Sequence, residues 1–348
     1  MRRGLISWSR EEVPAPVLDG RLARLQARMR EAGLGVLLIY TSFARPSAVA
    51  WLTHFVPYWN EGLLVVPPAG APTLLAAFSK RMHDWIRSVS HVGEVRSVAA
   101  LGRAAVDMVE NLPAASAVGV IELDALPWTV AEPLLACCGE RLTDASELFA
   151  SIRQPADDTE IRLAQKAADI AGRAIASIPH GAVRASEVLA AIERSVRHDG
   201  AEEVLQRIAP DLGGGTTLRR LEGDCHLGGR YAIELSIAYK AAWVRVARCL
   251  SPNAPPSWKQ AQRWTSDWAT GTTGVSGGPP PGALAFWTLE ACVGTRPFSV
   301  VGSAIGPRGT VAPGTLACYA VQLQLADGPW LSGGPVVVGG EGPGRLLA

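Results

Sequence analysis

The sequence has no charge surplus: 33 lysines and arginines stand against 32 aspartates and glutamates. The basic residues form no stripe and match no zinc-finger, homeodomain or RNA-recognition pattern, so a nucleic-acid partner is not expected. A long apolar run is missing too. The opening MRRGLISWSREEVP carries two arginines and then a short apolar stretch broken by Ser7 and Arg10. That is too little for a signal-peptide core or a spanning helix, so a cytoplasmic protein with no membrane partner is expected. The cysteines Cys137, Cys138, Cys225, Cys249, Cys292 and Cys318 show no Cys-x-x-Cys spacing. This argues against a zinc ribbon or a thiol redox motif and leaves them as small, buried apolar residues. The histidines His54, His83, His91, His180, His198 and His226 include no His-Glu-x-x-His or other close ligand pair, so a histidine-based metal centre is not expected in the second half.

Two common catalytic loops are also absent. The glycine runs at 213–215 and 339–344 lack the GxxxxGK[ST] and GxGxxG patterns of phosphate loops and read as turns. Residues 274–278, GVSGG, formally match a nucleophile elbow centred on Ser276. Prolines follow it, however, and no histidine occurs after His226, so no base is at hand.

What is present describes two domains, as 348 residues exceed one ordinary core. In LDGRLARLQARMREAG, Leu22, Leu25 and Met29 share a helical face that stops at Gly33. VLLIY, GLLVVPP, TLLAAF and VGVIEL follow as buried strands of an α/β domain over residues 1–152. RQPADDTEIRLAQKAADIAGRAIASI then opens a long helix with a proline and an acidic first turn, and begins a second domain at residue 153. ASEVLAAIERSVRHDG is a helix closed by Gly200, and EVLQRIAP a strand. Residues 251–315 are rich in Pro, Gly, Ser and Trp, with one helical island, SWKQAQRWTSDWA, whose Trp264 and Trp268 share a face either as core or interface residues or as a ligand-facing aromatic wall. GGPPPG from Gly277 is loop. Strands return in TLACYAVQLQL and PVVVGG.

The stretch IELSIAYKAAWVRVAR alternates about a turn near Tyr239 and Lys240 and reads as an antiparallel hairpin. Counting outward places Glu234 opposite Arg245. His226, upstream, is a candidate acid or base because imidazole titrates near neutrality.

Taken in order, RLARLQARMREAGLGVLLIY, VAWLTHF, SIRQPADDTEIRLAQKAADIA, GAVRASEVLAAIERSVRHDGAEE and the hairpin resemble the creatinase, prolidase and aminopeptidase P family. The likeness covers the chain to about Leu250 and is thin beyond. It implies a creatinase-like α/β N-terminal domain and an α+β pita-bread domain over residues 153–348. The family's peptidases hold two metal ions with two aspartates on this hairpin, a later histidine and two glutamates. By the resemblance, the aspartates fall on Glu234 and Arg245, and Tyr239 and Arg248 keep the family's tyrosine and arginine. An upstream histidine falls near Thr217, the ligand histidine has no counterpart, and the glutamates fall about Val321, Gln322 and Gly333.

A guanidinium about 4 Å from a divalent ion is repelled by roughly 8 kcal/mol at an effective dielectric of 20. No metal and no other cofactor is therefore expected, with Arg245 supplying positive charge in a metal's place and Glu234 balancing it. Two readings stay open. One is a metal-independent enzyme acting on the C–N bond of a small amino-acid-like or amide substrate, with Glu234 or His226 as acid or base and Arg245, Tyr239 and Arg248 binding. The other is a catalytically inactive relative that binds a ligand or partner. The resemblance also implies a homodimer in which Trp59 or Glu61, from FVPYWNEG, completes the partner's site.

Overall fold

The computed structural model describes residues 7–43, 47–57, 59–113, 115–271, 280–291, 304–305, 311–340 and 342–347. They divide into two compact units, one running to Arg153 and the other from Gln154 onward. Ser276, Cys292 and the first half of GGPPPG lie outside the described residues. Among the described residues, no helix is long and apolar enough to cross a membrane.

In the first unit, helix α1 (Ala15–Glu31) buries Leu18, Leu25 and Met29, and Gly33 takes a left-handed φ of 68° to turn the chain into β1 (Leu34–Ser42). After α2 (Ser47–Thr53) come β2 (Glu61–Val66), β3 (Thr73–Ala76), α3 (His83–Val89) and β4 (Glu94–Ser97). Then follow α4 (Leu101–Val109), β5 (Ala117–Val120), α5 (Trp128–Cys138), β6 (Leu142–Asp144) and α6 (Ser146–Ile152). The six strands form one mixed sheet in the order β4-β3-β2-β1-β5-β6. Successive residues of β1 point to opposite faces, and both faces are covered. Leu37 and Ile39 join a core with Phe55 and Phe149, while Val36 and Leu38 join another with Val118 and Leu134. A strand buried on both sides is apolar throughout, so VLLIY was readable as a run.

The second unit starts with α7 (Asp158–Ala176), capped where Asp157 Oδ1 accepts from Glu160 N at 2.8 Å. Next come α8 (Ala185–His198), β7 (Glu203–Ala209), β8 (Tyr231–Tyr239), β9 (Ala242–Leu250) and α9 (Pro256–Thr270). Strands β10 (Ala283–Ala291), β11 (Ala304–Ile305), β12 (Leu316–Leu325), β13 (Gly328–Val337) and β14 (Arg345–Leu346) complete it. Seven of these strands run in the order β11-β10-β12-β13-β9-β8-β7, with β14 beside β13. Strand β10 was not expected from its Pro- and Gly-rich surroundings, and β13 begins seven residues before PVVVGG. Trp264 and Trp268 stack at 6.3 Å, and Trp268 meets Trp287 edge-on at 5.1 Å in the core between α9 and β12. Of the described cysteines, Cys138 and Cys318 are buried, whereas Cys137 is exposed, against expectation.

Two contacts settle how this sheet is assembled. Tyr239 pairs with Ala242, so the hairpin turns on Lys240 and Ala241, whose φ angles of 47° and 66° are both left-handed. This is the turn that Asn-Gly ordinarily occupies. Strand β9 meets β13 through only two residue pairs, Arg248 with Ser332 and Ala247 with Gly333. Arg248 Nη1 reinforces this seam by donating to Ala247 O (2.8 Å) and Gly333 O (2.5 Å), and Cys249 Sγ accepts from Leu331 N at 3.1 Å. Burial pushes the Cys249 thiol up to about 12, so it stays protonated.

A Cβ added at Gly333 would sit 2.9 Å from Tyr319 O and 3.3 Å from the Ala247 Cβ. Gly333→Ala is therefore expected to destabilise the second unit by about 1 to 3 kcal/mol, seen as a lower urea midpoint at unchanged slope. An unchanged midpoint would mean the seam is not tightly packed.

Candidate functional site

Side-chain alternation sorts the second sheet into two faces. Ile233, Leu235 and Ile237 of β8 are fully buried on the face that α7 covers. Glu234 and Ser236 point the other way. Register then carries a row of side chains along that second face: Arg207 pairs with Glu234, Glu234 with Ala247, Ala247 with Gly333, and Gly333 with Ala320. In the neighbouring row Leu205 pairs with Ser236 and Ser236 with Arg245. Glu290, on β10, pairs with Cys318 and shares this face.

Four of these side chains form two ion pairs. Arg207 Nη1 lies 3.4 Å from Glu234 Oε1, and Arg245 Nη1 lies 3.2 Å from Glu290 Oε2. Arg207 is half exposed, but the Arg245 and Glu290 side chains are only 17% and 16% exposed. The second pair reaches from β9 to β10 across β13 and β12. Three strand spacings come to roughly 14 Å in a flat sheet, so the sheet must curve toward this face. The small residues Ala247, Gly333 and Ala320 leave room above the intervening strands for the long side chains.

Burial pushes the Glu290 carboxyl above the usual carboxylate range; Arg245 pulls it back, and the charge of Glu234 adds to the rise. Glu290 therefore feels the charge of Glu234. Arg245 Nε is buried and has no hydrogen-bond partner among the described residues, while Arg245 N donates to Cys318 Sγ at 3.4 Å. An unpaired buried donor beside a charged face is costly unless something binds there.

The expected direct pair of Glu234 with Arg245 is not formed. The turn is centred one residue later than the sequence count put it, which shifts the register by two. Glu234 faces Ala247 and takes Arg207, and Arg245 faces Ser236 and takes Glu290. Alternation puts Tyr239 and Arg248 on the opposite face from Glu234, Tyr239 near Gly200 and Arg248 on the seam carbonyls. His226 is exposed, bridges to Arg184 at the start of α8, and has no bond to Glu234. Val321 packs into the core with Trp258, away from the site. Gln322 is on the site face, where its Nε2 donates to Thr216 Oγ1 at 3.2 Å, next to the exposed Thr217. Trp59 and Glu61 belong to the first unit. Trp59 is 49% exposed and stacks on Trp85 at 6.0 Å, and Glu61 Oε2 accepts from Tyr40 Oη at 2.6 Å.

Two participants were missed from the sequence. Arg207 was legible as the outward-pointing charge in EVLQRIAP. Glu290 was legible only if ALAFWTLEA had been read as a strand, whose alternation would then have aimed one carboxylate at the site.

The donor set does not fit a divalent metal centre. Among the described residues no three His, Cys, Asp or Glu side chains gather closely enough to hold an ion. Glu234 and Glu290 are each engaged by a guanidinium, and between them Ala247, Gly333 and Ala320 offer no side-chain ligand.

Residues 21–154 match the Creatinase/Prolidase N-terminal domain family. No curated protein matches the chain. Among solved structures, prolidase from Pyrococcus furiosus is 16% identical with a TM-score of 0.68, over 94% of this chain and 98% of that one. X-Pro aminopeptidase from Thermotoga maritima MSB8 is also 16% identical, with a TM-score of 0.71, over 94% and 97%. Xaa-Pro dipeptidase from Bacillus anthracis is 15% identical with a TM-score of 0.66, over 95% and 97%. Residues 21–154 are thus a creatinase/prolidase N-terminal domain, and the sheet-rich second unit completes the pita-bread architecture of the prolidases and X-Pro aminopeptidases.

Proposed function

We propose that the charged face of the second unit acts without a metal ion on the C–N bond of a small amino-acid-like or amide substrate. The observation that carries this reading is the pair of carboxylates on one face, Glu234 and Glu290, with Glu290 raised and each held by its own arginine. A carboxyl group raised by burial can serve as the acid beside a second carboxylate that serves as the base.

In the hydrolytic form of this chemistry Glu234, paired with Arg207, takes a proton from water as the new C–O bond forms. Glu290 delivers its proton to the departing nitrogen as the C–N bond breaks. Once Glu290 is protonated, Arg245 is released to hold the carbonyl oxygen as negative charge grows there, and its unpartnered Nε adds a second donor. Ser236, between Arg245 and Glu234, supports the bound amide.

A binding role without turnover is the second reading. It is favoured by the lack of a histidine on this face among the described residues, since His226 pairs with Arg184 instead. The homodimer belongs to this proposal as well. The half-exposed Trp59, backed by Trp85 and Phe78, is a large apolar surface suited to a second copy.

Hydrolysis of dipeptides, N-acyl amino acids or simple amides is expected to persist after EDTA treatment. Glu234→Gln and Glu290→Gln should each lower kcat by about 100-fold or more. Because Glu290 must carry its proton, the rate should fall as pH rises through the elevated Glu290 pKa. Activity that appears only with added manganese or zinc, or that survives Glu290→Gln, would contradict this.

Removing one member of the mostly buried pair should cost about 2 to 4 kcal/mol. Arg245→Met or Glu290→Leu alone is thus expected to destabilise more than the double variant. Independent effects in that cycle would show the two are not coupled. Light scattering should report a dimer, and a monomer throughout the micromolar range would remove the intersubunit role of Trp59 and Glu61.

A further inference from the structure

A hollow of about 200 Å³ lies within the first unit, where α1, α2 and β2 meet the segments leading into β3 and β4. Leu18, Leu22, Leu52, Leu64 and Val92 form its apolar wall. Leu18, Leu52 and Leu64 are themselves buried, so the hollow reaches down to the core of the unit. An apolar cavity of about 150 Å³ holds a benzene ring. This one therefore has room for a ring and a short substituent.

The ionisable side of the hollow is a single pair. His91 Nε2 lies 2.7 Å from Asp19 Oδ1, and these side chains, 35% and 63% exposed, mark the mouth. The imidazole is braced from two further directions, because His91 N donates to Thr53 O at 2.7 Å and the Trp8 ring lies 5.4 Å from the imidazole centroid. Trp8 is held in turn, with its Nε1 donating to Val13 O at 2.9 Å. Thr53 offers the hollow no donor, since its hydroxyl donates to Val49 O at 2.7 Å. Asp19 Oδ2 accepts no hydrogen bond among the described residues, and a carboxylate oxygen readily takes one. Arg10 lies against Trp8, its guanidinium carbon 4.9 Å from the ring centroid, and makes no ion pair with Asp19. With His91 neutral the Asp19–His91 pair carries one negative charge, and with His91 protonated it carries none. The pair attracts an anion in neither state, whereas a cationic donor meets an open carboxylate oxygen in both.

We propose that this hollow is a binding site for a small primary amine with a compact apolar body. The ammonium donates to Asp19 Oδ2 in a charge-assisted hydrogen bond, and the apolar body fills the space among Leu18, Leu22, Leu52 and Leu64. The site is built from the first unit alone and is independent of the reaction proposed for the second.

Calorimetry on the full chain with benzylamine, benzyl alcohol, benzoate and methylamine tests the assignment. Benzylamine should bind with a Kd of about a millimolar or below, and about threefold or more tighter than benzyl alcohol. Benzoate has the wrong charge and methylamine has no apolar body, so neither should show saturable binding. Asp19→Asn removes the charge and keeps the shape, and should bring benzylamine and benzyl alcohol to within about 1.5-fold. Leu22→Trp fills the hollow from a half-buried position on α1 and should weaken both ligands about tenfold or more, with Leu22→Phe as the milder variant if the thermal midpoint of the first falls. The site is overturned by saturable benzoate binding, by no benzylamine binding to the wild type, or by a benzylamine preference that survives Asp19→Asn at unchanged thermal midpoint. Unchanged affinity in a folded Leu22 variant would place the amine elsewhere and overturn it as well.

Discussion

One salt bridge that crosses two strands sets the geometry of the charged face of the second unit. Arg245 and Glu290 meet at 3.2 Å although β13 and β12 lie between their own strands. The sheet must curve, the residues beneath must be small, and the face must be shielded enough for the charges to matter. Gly333 and Ala247 meet the second demand and also form the narrow seam between β9 and β13. A single glycine therefore serves both the closure of the sheet and the clearance above it. Such a pair is a poor source of net stability, because desolvation offsets much of the attraction. Its place on a charged face is better explained by what it does there.

Much of the scaffold was legible because burial leaves a periodic mark. The strands of the first unit are covered on both sides and read as apolar runs, and α7 and α8 carried their caps and stops in Asp157 and Gly200. The site was less legible. Lys240 and Ala241 take the left-handed turn without glycine or asparagine, so nothing local marked its centre, and an error of one residue there moved every cross-strand partner of Glu234 by two. Glu290 was hidden for a different reason. Its strand sits in proline- and glycine-rich sequence, and its meeting with Arg245 is a product of sheet order, which no local pattern encodes.

Fold and function separate in this chain. The architecture is that of prolidases and X-Pro aminopeptidases, yet at an identity of 16% the likeness extends to the fold and not to the chemistry. On the face where those register rows converge, this sequence places arginine, alanine and glycine between its two glutamates. A guanidinium is a fixed, planar cation that can neutralise a carboxylate and orient an oxygen, as a metal ion can, but it cannot lower the pKa of a bound water as a metal does. The chemistry proposed for this face therefore rests on a proton accepted by Glu234 and one donated by Glu290, for which burial raises the Glu290 carboxyl.

Elemental analysis of the purified protein, followed by calorimetric titration with manganese and zinc, tests most directly the claim that arginines supply the positive charge of this site. The expected result is no stoichiometric manganese, zinc, cobalt or iron and no saturable binding that depends on Glu234 or Glu290. One or more tightly held ions per chain, lost when Glu234 or Glu290 is changed to glutamine, would contradict it.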